Sequence, residues 1–257
     1  MPLGVPSSFQ AYDPHPIVIA SAGSSWMKDV DGNKYTDFDM GFGALFAGHV
    51  HPLVRRAIDQ QLDLGTLFVS PCEDNAEVAE MLAERYGLPM WRFTNSGTEA
   101  TMDAIRVARA STGRDKIVKV EGGYHGHHDE VMISMKPPIA VAGPARKPFS
   151  VASSAGITAD TLKTTIVVPY NDPEALEDVL RNGDVACFIV EPVMQNIGIC
   201  KPLPGYLQAV REITQRYGTL LIFDEVKTGI TAGFSGATGA LGVTPDLVAL
   251  AKSIGGG

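Results

Sequence analysis

The stretch Thr219-Leu-Leu-Ile-Phe-Asp-Glu-Val226 joins a run of apolar residues to an acidic pair. A second apolar run, Leu247–Leu250, leads into Lys252 and a glycine-rich end. Short runs that are apolar throughout are typical of strands buried on both faces of a sheet. The two runs therefore predict two buried strands, and each has an ionisable residue, Asp224 or Lys252, at its carboxyl end.

Outward from these runs, strands and helices alternate from Trp91 onward. Strands are predicted at 91–94, 116–120, 185–190, 220–223 and 247–250, and helices near 98–110, 173–181 and 205–217. This alternation predicts an α/β fold whose mostly parallel sheet is covered by helices on both faces. Ligands of such sheets bind at the carboxyl ends of the strands. Polar residues follow the predicted strand ends at Asn95, Ser96, Gly122, Glu191, Asp224 and Lys252.

The first part of the chain has a different pattern. Residues 1–40 are predicted to form an extended, proline-rich arm and a small hairpin that turns at Asp31-Gly32. Two amphipathic helices follow, with apolar faces that begin at Leu53 and Val78. Residues 41–257 are predicted to form a large domain, in which the Pro-, Ala-, Gly- and Ser-rich segment 136–160 is a long loop.

Composition excludes several classes of protein. A formal net charge of −8 and the absence of a basic cluster argue against binding to nucleic acid or to an anionic membrane surface. The three cysteines lack metal-ligand or CxxC spacing, which favours a reducing cytoplasm. Neither a signal peptide nor a run of about 18 apolar residues is present, so we expect a protein that is neither secreted nor membrane-spanning.

Lys252 is the strongest candidate for covalent chemistry. Poor solvation at the end of a buried strand favours the neutral amine that a Schiff base requires. Asp224 is costly at a strand end unless a cation such as a pyridinium nitrogen meets it, or unless water or backbone N–H groups solvate it. Glu225 is predicted to be structural, because consecutive strand residues point to opposite faces.

A second candidate is the turn Ser96-Gly97-Thr98, which is predicted to open a helix. Its backbone N–H groups, its hydroxyl groups and the positive helix terminus favour a bound phosphate. The alternative is a simple helix cap by Asn95 or Ser96, completed by Glu99 as a capping box.

The third candidate is the glycine-rich stretch Gly122–His128. Tyr124 is predicted to stack on a planar ligand, with His125 beside the site. His127 and His128 are predicted to be ordinary loop residues, since the histidines lack the spacing of a metal site. Farther along, Glu191 and Asn196 fit either a bond to a phenolic oxygen or plain loop packing.

Four stretches of the chain carry a family resemblance. They are Phe93-Thr-Asn-Ser-Gly-Thr-Glu99, Gly122-Gly-Tyr-His-Gly-His-His128, Leu221-Ile-Phe-Asp-Glu-Val226 and Thr244-Pro-Asp-Leu-Val-Ala-Leu-Ala-Lys-Ser-Ile-Gly-Gly-Gly257. Together they resemble the class III pyridoxal-phosphate aminotransferases, and within that class they are most similar to glutamate-1-semialdehyde 2,1-aminomutase and its relatives. The resemblance covers essentially the whole chain in order. It implies pyridoxal 5'-phosphate as cofactor, the aspartate-aminotransferase-like fold (fold type I) and a homodimer.

The same resemblance implies a role for each site residue. Lys252 would form the internal aldimine, and Asp224 would pair with the ring nitrogen. Tyr124 and Val226 would contact the two faces of the cofactor ring, and His125 and Glu191 would lie beside it. The turn Ser96, Gly97 and Thr98 would hold the phosphate, and Asn196 would approach the ring hydroxyl. The implied activity moves an amino group between an amino acid or related amine and a carbonyl acceptor.

Three departures from the family pattern bear on substrate and completeness. In the aminomutases the arm carries a serine and, three residues later, an arginine that binds the substrate carboxylate; here these are Ser7 and Gln10. Glutamine lacks the charged guanidinium group that binds a carboxylate through two parallel hydrogen bonds. This difference favours transamination over aminomutase chemistry. Lys227 stands where many relatives have an uncharged residue. Because family members continue past the Gly-Gly-Gly, we expect the end of the large domain and the small C-terminal domain to be missing, which leaves an inactive cofactor-binding fragment as a third alternative.

Overall fold

The computed structural model describes residues 1–256. It divides into two compact units, Met1–Val69 with the chain end from Gly255, and Ser70–Ile254. The predicted division into residues 1–40 and 41–257 stays a prediction. Within residues 1–256, every helix is too short or too polar to pass through a lipid bilayer.

The first unit contains a small antiparallel sheet. Its order is β1 (Ile19–Gly23), β2 (Trp26–Asp29), β3 (Lys34–Thr36). The hairpin predicted around Asp31-Gly32 joins β2 to β3, with Met27 opposite Tyr35; β1 was not predicted. A short turn α1 (Met40–Gly43) and the helix α2 (Pro52–Leu64) follow. The apolar face of α2 lies in solvent in the single chain, with Leu53 63% and Leu62 60% exposed.

The second unit is built on a five-stranded parallel sheet in the order β5-β4-β6-β7-β8. Its strands are β4 (Lys116–Val120), β5 (Thr165–Val168), β6 (Val185–Val190), β7 (Leu220–Asp224) and β8 (Leu247–Ala249). Its helices are α3 (Glu73–Tyr86), α4 (Gly97–Thr112), α5 (Ile139–Ala142), α6 (Ala159–Thr164), α7 (Pro173–Leu180), α8 (Tyr206–Arg216), α9 (Thr228–Thr231) and α10 (Gly236–Leu241). A 3-10 turn, Lys252–Gly255, follows β8.

Two apolar clusters cover the two faces of this sheet. On one face, Phe188 and Phe223 pack with residues of α7 and α8 such as Leu176 and Val210. On the other face, Ile105 and its neighbours in α4 pack against alternate strand residues. Because successive strand residues point to opposite faces, continuous apolar strands are needed to fill both clusters. The predicted α/β architecture is confirmed.

One strand prediction in this unit was wrong, and one strand was not predicted. Residues 91–94 form no strand; Trp91 instead bonds the carbonyl of Leu88 through its ring N–H at 3.0 Å and packs edge-on against Tyr86. Arg92, Phe93 and Thr94 are exposed and no strand pairs with them in the described chain, so the segment is irregular. The strand β5 was not predicted, although Thr-Ile-Val-Val is a short β-branched run.

Candidate functional site

The carboxylate of Asp224 lies at the carboxyl end of β7 and is 4% exposed. Its Oδ2 lies 2.8 Å from Nδ1 of His125, and its Oδ1 accepts the backbone N–H of Val226 at 3.0 Å. The other ring nitrogen of His125 is buried and has no hydrogen-bond partner among residues 1–256. The pair therefore joins the end of β7 to the glycine-rich loop that follows β4, where His125 was predicted to adjoin the site.

The turn Ser96-Gly97-Thr98 opens α4 as predicted. The Ser96 hydroxyl accepts the N–H of Glu99 at 3.2 Å, so the cap is present. The Glu99 carboxylate accepts from Asn95 at 2.6 Å, one residue before the capping position that a capping box uses. Within residues 1–256, nothing accepts the backbone N–H groups of Gly97 and Thr98. Cap and anion site are compatible here, because the cap satisfies the third N–H of the helix and leaves the first two free.

Gly97 is packed tightly against the chain beyond β7 and β8. A Cβ on Gly97 would lie 3.0 Å from Cγ2 of Val226 and 3.2 Å from Cβ of Ala251. The helix start, Val226 and the residue before Lys252 therefore meet at the carboxyl edge of the sheet.

Lys252 lies three residues beyond the end of β8, a strand that is one residue shorter than the predicted 247–250. It adopts a left-handed backbone conformation, with φ 53°, and is half-buried. Burial is the largest cause that lowers the pKa of Lys252, and the positive charge of Lys227 lowers it further, while Asp224 and Glu191 act in the opposite sense. Its amine has no hydrogen-bond partner in the described chain, so it is available for chemistry.

The loop after β4 is held by Glu191. One carboxylate oxygen accepts the N–H of Tyr124 at 3.1 Å, and the other accepts the N–H of Gln195 at 3.0 Å. Burial raises the pKa of the Tyr124 hydroxyl, and the charge of Asp224 raises it further. The Asn196 amide donates to the carbonyl of Gly122 at 3.0 Å. Glu191 and Asn196 thus perform the loop packing that was one of their two predicted roles.

The remaining predicted residues are Ser7 and Gln10 in the first unit and His127 and His128 in the loop after β4. Ser7 precedes a 3-10 turn of the first unit, Gln10 closes that turn, and both side chains are exposed. His127 is an exposed loop residue whose N–H donates to the Thr98 hydroxyl at 3.2 Å. His128 is half-buried, with Nδ1 3.1 Å from a carboxylate oxygen of Glu130.

Two buried charged residues have structural roles, and only Glu225 of the two was predicted to have one. Lys119 in β4 has no exposed surface, and its amine donates to the carbonyls of Gly123 and Ile133 at 2.9 and 2.6 Å. Its position inside an apolar strand was the available signal, since an unpaired charge there is costly. Glu225 is structural as predicted, and its buried carboxylate accepts from Ala237 and Thr238 at the start of α10.

A lysine and a carboxylate at the carboxyl edge of a parallel sheet, beside a helix start with free N–H groups, are features of the fold-type-I pyridoxal-phosphate-dependent transferases. The comparisons agree with that class. A family model described as "Aminotransferase class-III" matches residues 8–257, and the chain belongs to this family. The predicted family, the fold class and the family's pyridoxal-phosphate chemistry are confirmed.

Among relatives, the glutamate-1-semialdehyde 2,1-aminomutase of Methanocella arvoryzae is 46% identical over 259 residues, covering 100% of this chain and 59% of the relative. An omega-transaminase from Sphaerobacter thermophilus superposes with a TM-score of 0.92 at 37% identity, over 99% of this chain and 59% of that one. A glutamate-1-semialdehyde aminomutase from Pseudomonas aeruginosa PAO1 in complex with PMP superposes with a TM-score of 0.91 at 34% identity, over 100% of this chain and 55% of that one. The chain therefore spans a little over half the length of the proteins it resembles.

Proposed function

We propose that this chain carries the cofactor site of a pyridoxal-phosphate-dependent transaminase, which moves an amino group from an amino acid or related amine to a carbonyl acceptor. The observation that carries the proposal is the meeting of three groups at one sheet edge. These are the Asp224 carboxylate, the Lys252 amine with its lowered pKa, and the free N–H groups at the start of α4.

The donor set fits this cofactor. The unbonded N–H groups of Gly97 and Thr98 offer two donors and a positive helix terminus for a phosphate. Asp224 offers a carboxylate for a protonated ring nitrogen, and Val226 and Tyr124 would contact the two faces of a ring. When bound, pyridoxal phosphate supplies an electron sink that stabilises negative charge on the substrate carbon.

The protein residues have separate tasks in this mechanism. The Lys252 amine would make the covalent link, because its lowered pKa increases the neutral, nucleophilic fraction. The same amine, as a free base, would carry a proton at the substrate carbon. His125 and the N–H of Val226 hold the Asp224 carboxylate in place, and Glu191 holds Tyr124 through its backbone.

The cofactor assignment is tested with the purified chain and added pyridoxal phosphate. We expect a visible absorption band that borohydride removes, with the reduced cofactor found on the Lys252 peptide by mass spectrometry. Lys252→Ala should abolish both signals, whereas the exposed matched control Lys201→Ala should leave them unchanged. An unaltered band in Lys252→Ala refutes the assignment, and a band without turnover identifies an inactive cofactor-binding protein.

Aminomutase chemistry is the second candidate. It is favoured by the names of the most similar curated relatives, which are glutamate-1-semialdehyde 2,1-aminomutases at 42–46% identity. Feeding glutamate-1-semialdehyde without a second carbonyl acceptor separates the two. Isomerised product without acceptor supports the mutase, and amino transfer that requires an added acceptor supports the transaminase.

The proposal includes a second copy of the chain as partner, supported by the exposed apolar face of α2. Light scattering of the purified chain measures this directly, and a monomer mass at working concentration contradicts it. A reducing cytoplasm remains part of the proposal and is supported by the three cysteines, which are all free thiols.

A further inference from the structure

The position of Lys227 makes it the structural counterpart of Lys252. In the pairing of β7 with β8, Asp224 is aligned with Ala249. Lys227 lies three residues beyond Asp224, and Lys252 lies three residues beyond Ala249. Since the two strands are parallel neighbours, both chains leave the same edge of the sheet side by side.

A second contact brings the two segments together independently of the strand register. Val226 and Ala251, the residues immediately before the two lysines, both pack against Gly97 at the start of α4. The two lysines therefore follow residues that touch the same point of the fold, beside the free N–H groups of the helix start.

The charge of Lys227 is not neutralised locally. The side chain is half-buried, and within residues 1–256 its amine has no carboxylate within ion-pair distance. Its backbone carbonyl, by contrast, is bonded by the Thr231 hydroxyl at 2.7 Å, which anchors the segment. An unpaired cation in a partly desolvated site acts strongly on a neighbouring amine.

We propose that Lys227 is a positioning residue that acts through Lys252, its positive charge keeping the Lys252 amine in the neutral, nucleophilic form. The inference rests on the proposed function, because it concerns the same amine. The lowered pKa of Lys252 supports it: burial is the largest cause and Lys227 the next. Other ionisable groups around this edge are Asp224, Glu191, Tyr124, His125 and Glu99.

The test reads the titration of Lys252 directly. The full chain without cofactor is labelled briefly with dinitrofluorobenzene over a series of pH values, and the Lys252 peptide is quantified by mass spectrometry. In Lys227→Met the midpoint of Lys252 labelling should move to higher pH, and labelling at neutral pH should fall. Lys227→Arg should restore the original midpoint, since it restores the charge.

Control variants separate the charge effect from a folding defect. Lys201→Met removes an equal charge at an exposed site and should leave the midpoint unchanged. Lys227→Gln removes the charge but keeps a polar side chain, so it should reproduce the shift of Lys227→Met even if the methionine variant folds poorly. A midpoint that is the same in Lys227→Gln, Lys227→Arg and the parent chain overturns the proposal.

Failure of this inference is distinguishable from failure of the proposed function. If the midpoint does not move but borohydride still fixes the cofactor to Lys252, Lys227 has no such role and the cofactor assignment stands. If no cofactor becomes fixed to Lys252, the function fails, whereas the labelling experiment still reports the coupling of the two lysines.

Discussion

The interior of the second unit's sheet and its carboxyl edge each hold a lysine whose pKa is lowered by burial, yet the two lysines differ in one respect. Lys119, in the interior, donates to two carbonyls, whereas Lys252, at the edge, has no partner in the described chain. Desolvation acts on both amines, so a lowered pKa alone does not mark a reactive lysine. The two lysines differ in whether the side-chain nitrogen already donates hydrogen bonds within the protein.

The largest effect should come from removing the edge lysine. Lys252→Met should lower the proposed amino-transfer activity by more than about 10²-fold, because the nucleophile and the proton carrier of the proposed mechanism are lost together. Its stability in urea should change by less than about 1 kcal/mol, because the amine makes no hydrogen bond in the described structure. A variant that loses stability instead would abolish the contrast with Lys119.

Removing the interior lysine should have the opposite outcome. Lys119→Met leaves the carbonyls of Gly123 and Ile133 without donors, so urea unfolding should show a loss of about 2 kcal/mol. The exposed Lys201→Met is the matched control and should be neutral. If Lys119→Met is as stable as the control, the two bonds do not hold the loop.

The pH dependence of stability sharpens the same comparison. Burial lowers the pKa of Lys119 from 10.5 to about 7, against the opposing charges of Glu191 and Glu121. Between these values the unfolded chain holds a proton that the folded chain has released, so stability should rise with pH over this window. Its contribution is at most about 1.4 kcal/mol per pH unit. In urea titrations, the free energy of unfolding of Lys119→Met should rise less steeply with pH than that of the parent chain. Equal slopes would contradict the lowered pKa of Lys119.

The smallest effect concerns packing at the edge. In Gly97→Ala the added methyl group would press on Val226 and Ala251, and we expect a loss of about 1 kcal/mol. Gly156→Ala is the control, since it has no atom within 4 Å and no left-handed backbone. An unchanged melting temperature in Gly97→Ala would show that the edge has room to adjust.

Features that depend on residues close together in the sequence were predicted better than features that depend on distant residues. The strands β4 and β6 were predicted with their observed bounds, because a run of apolar residues is a local signal. Residues 91–94, Trp-Arg-Phe-Thr, alternate apolar and polar residues as a strand does. They form no strand, because a strand needs a neighbouring strand and local sequence does not show one. The Asp224–His125 contact joins residues 99 positions apart. Neither residue type indicates from the sequence that the other will be its partner.

The sequence by itself determined the α/β alternation, the buried strands, an acid at the carboxyl end of one strand and a lysine just beyond another. Periodicity and burial cost act over a few residues, so they can be deduced from composition and order. The tertiary structure decided which lysine donates hydrogen bonds to carbonyls, and it brought Lys227 beside Lys252. Those outcomes depend on strand order and register, which place distant segments at one edge and determine which polar atoms are bonded and which are free.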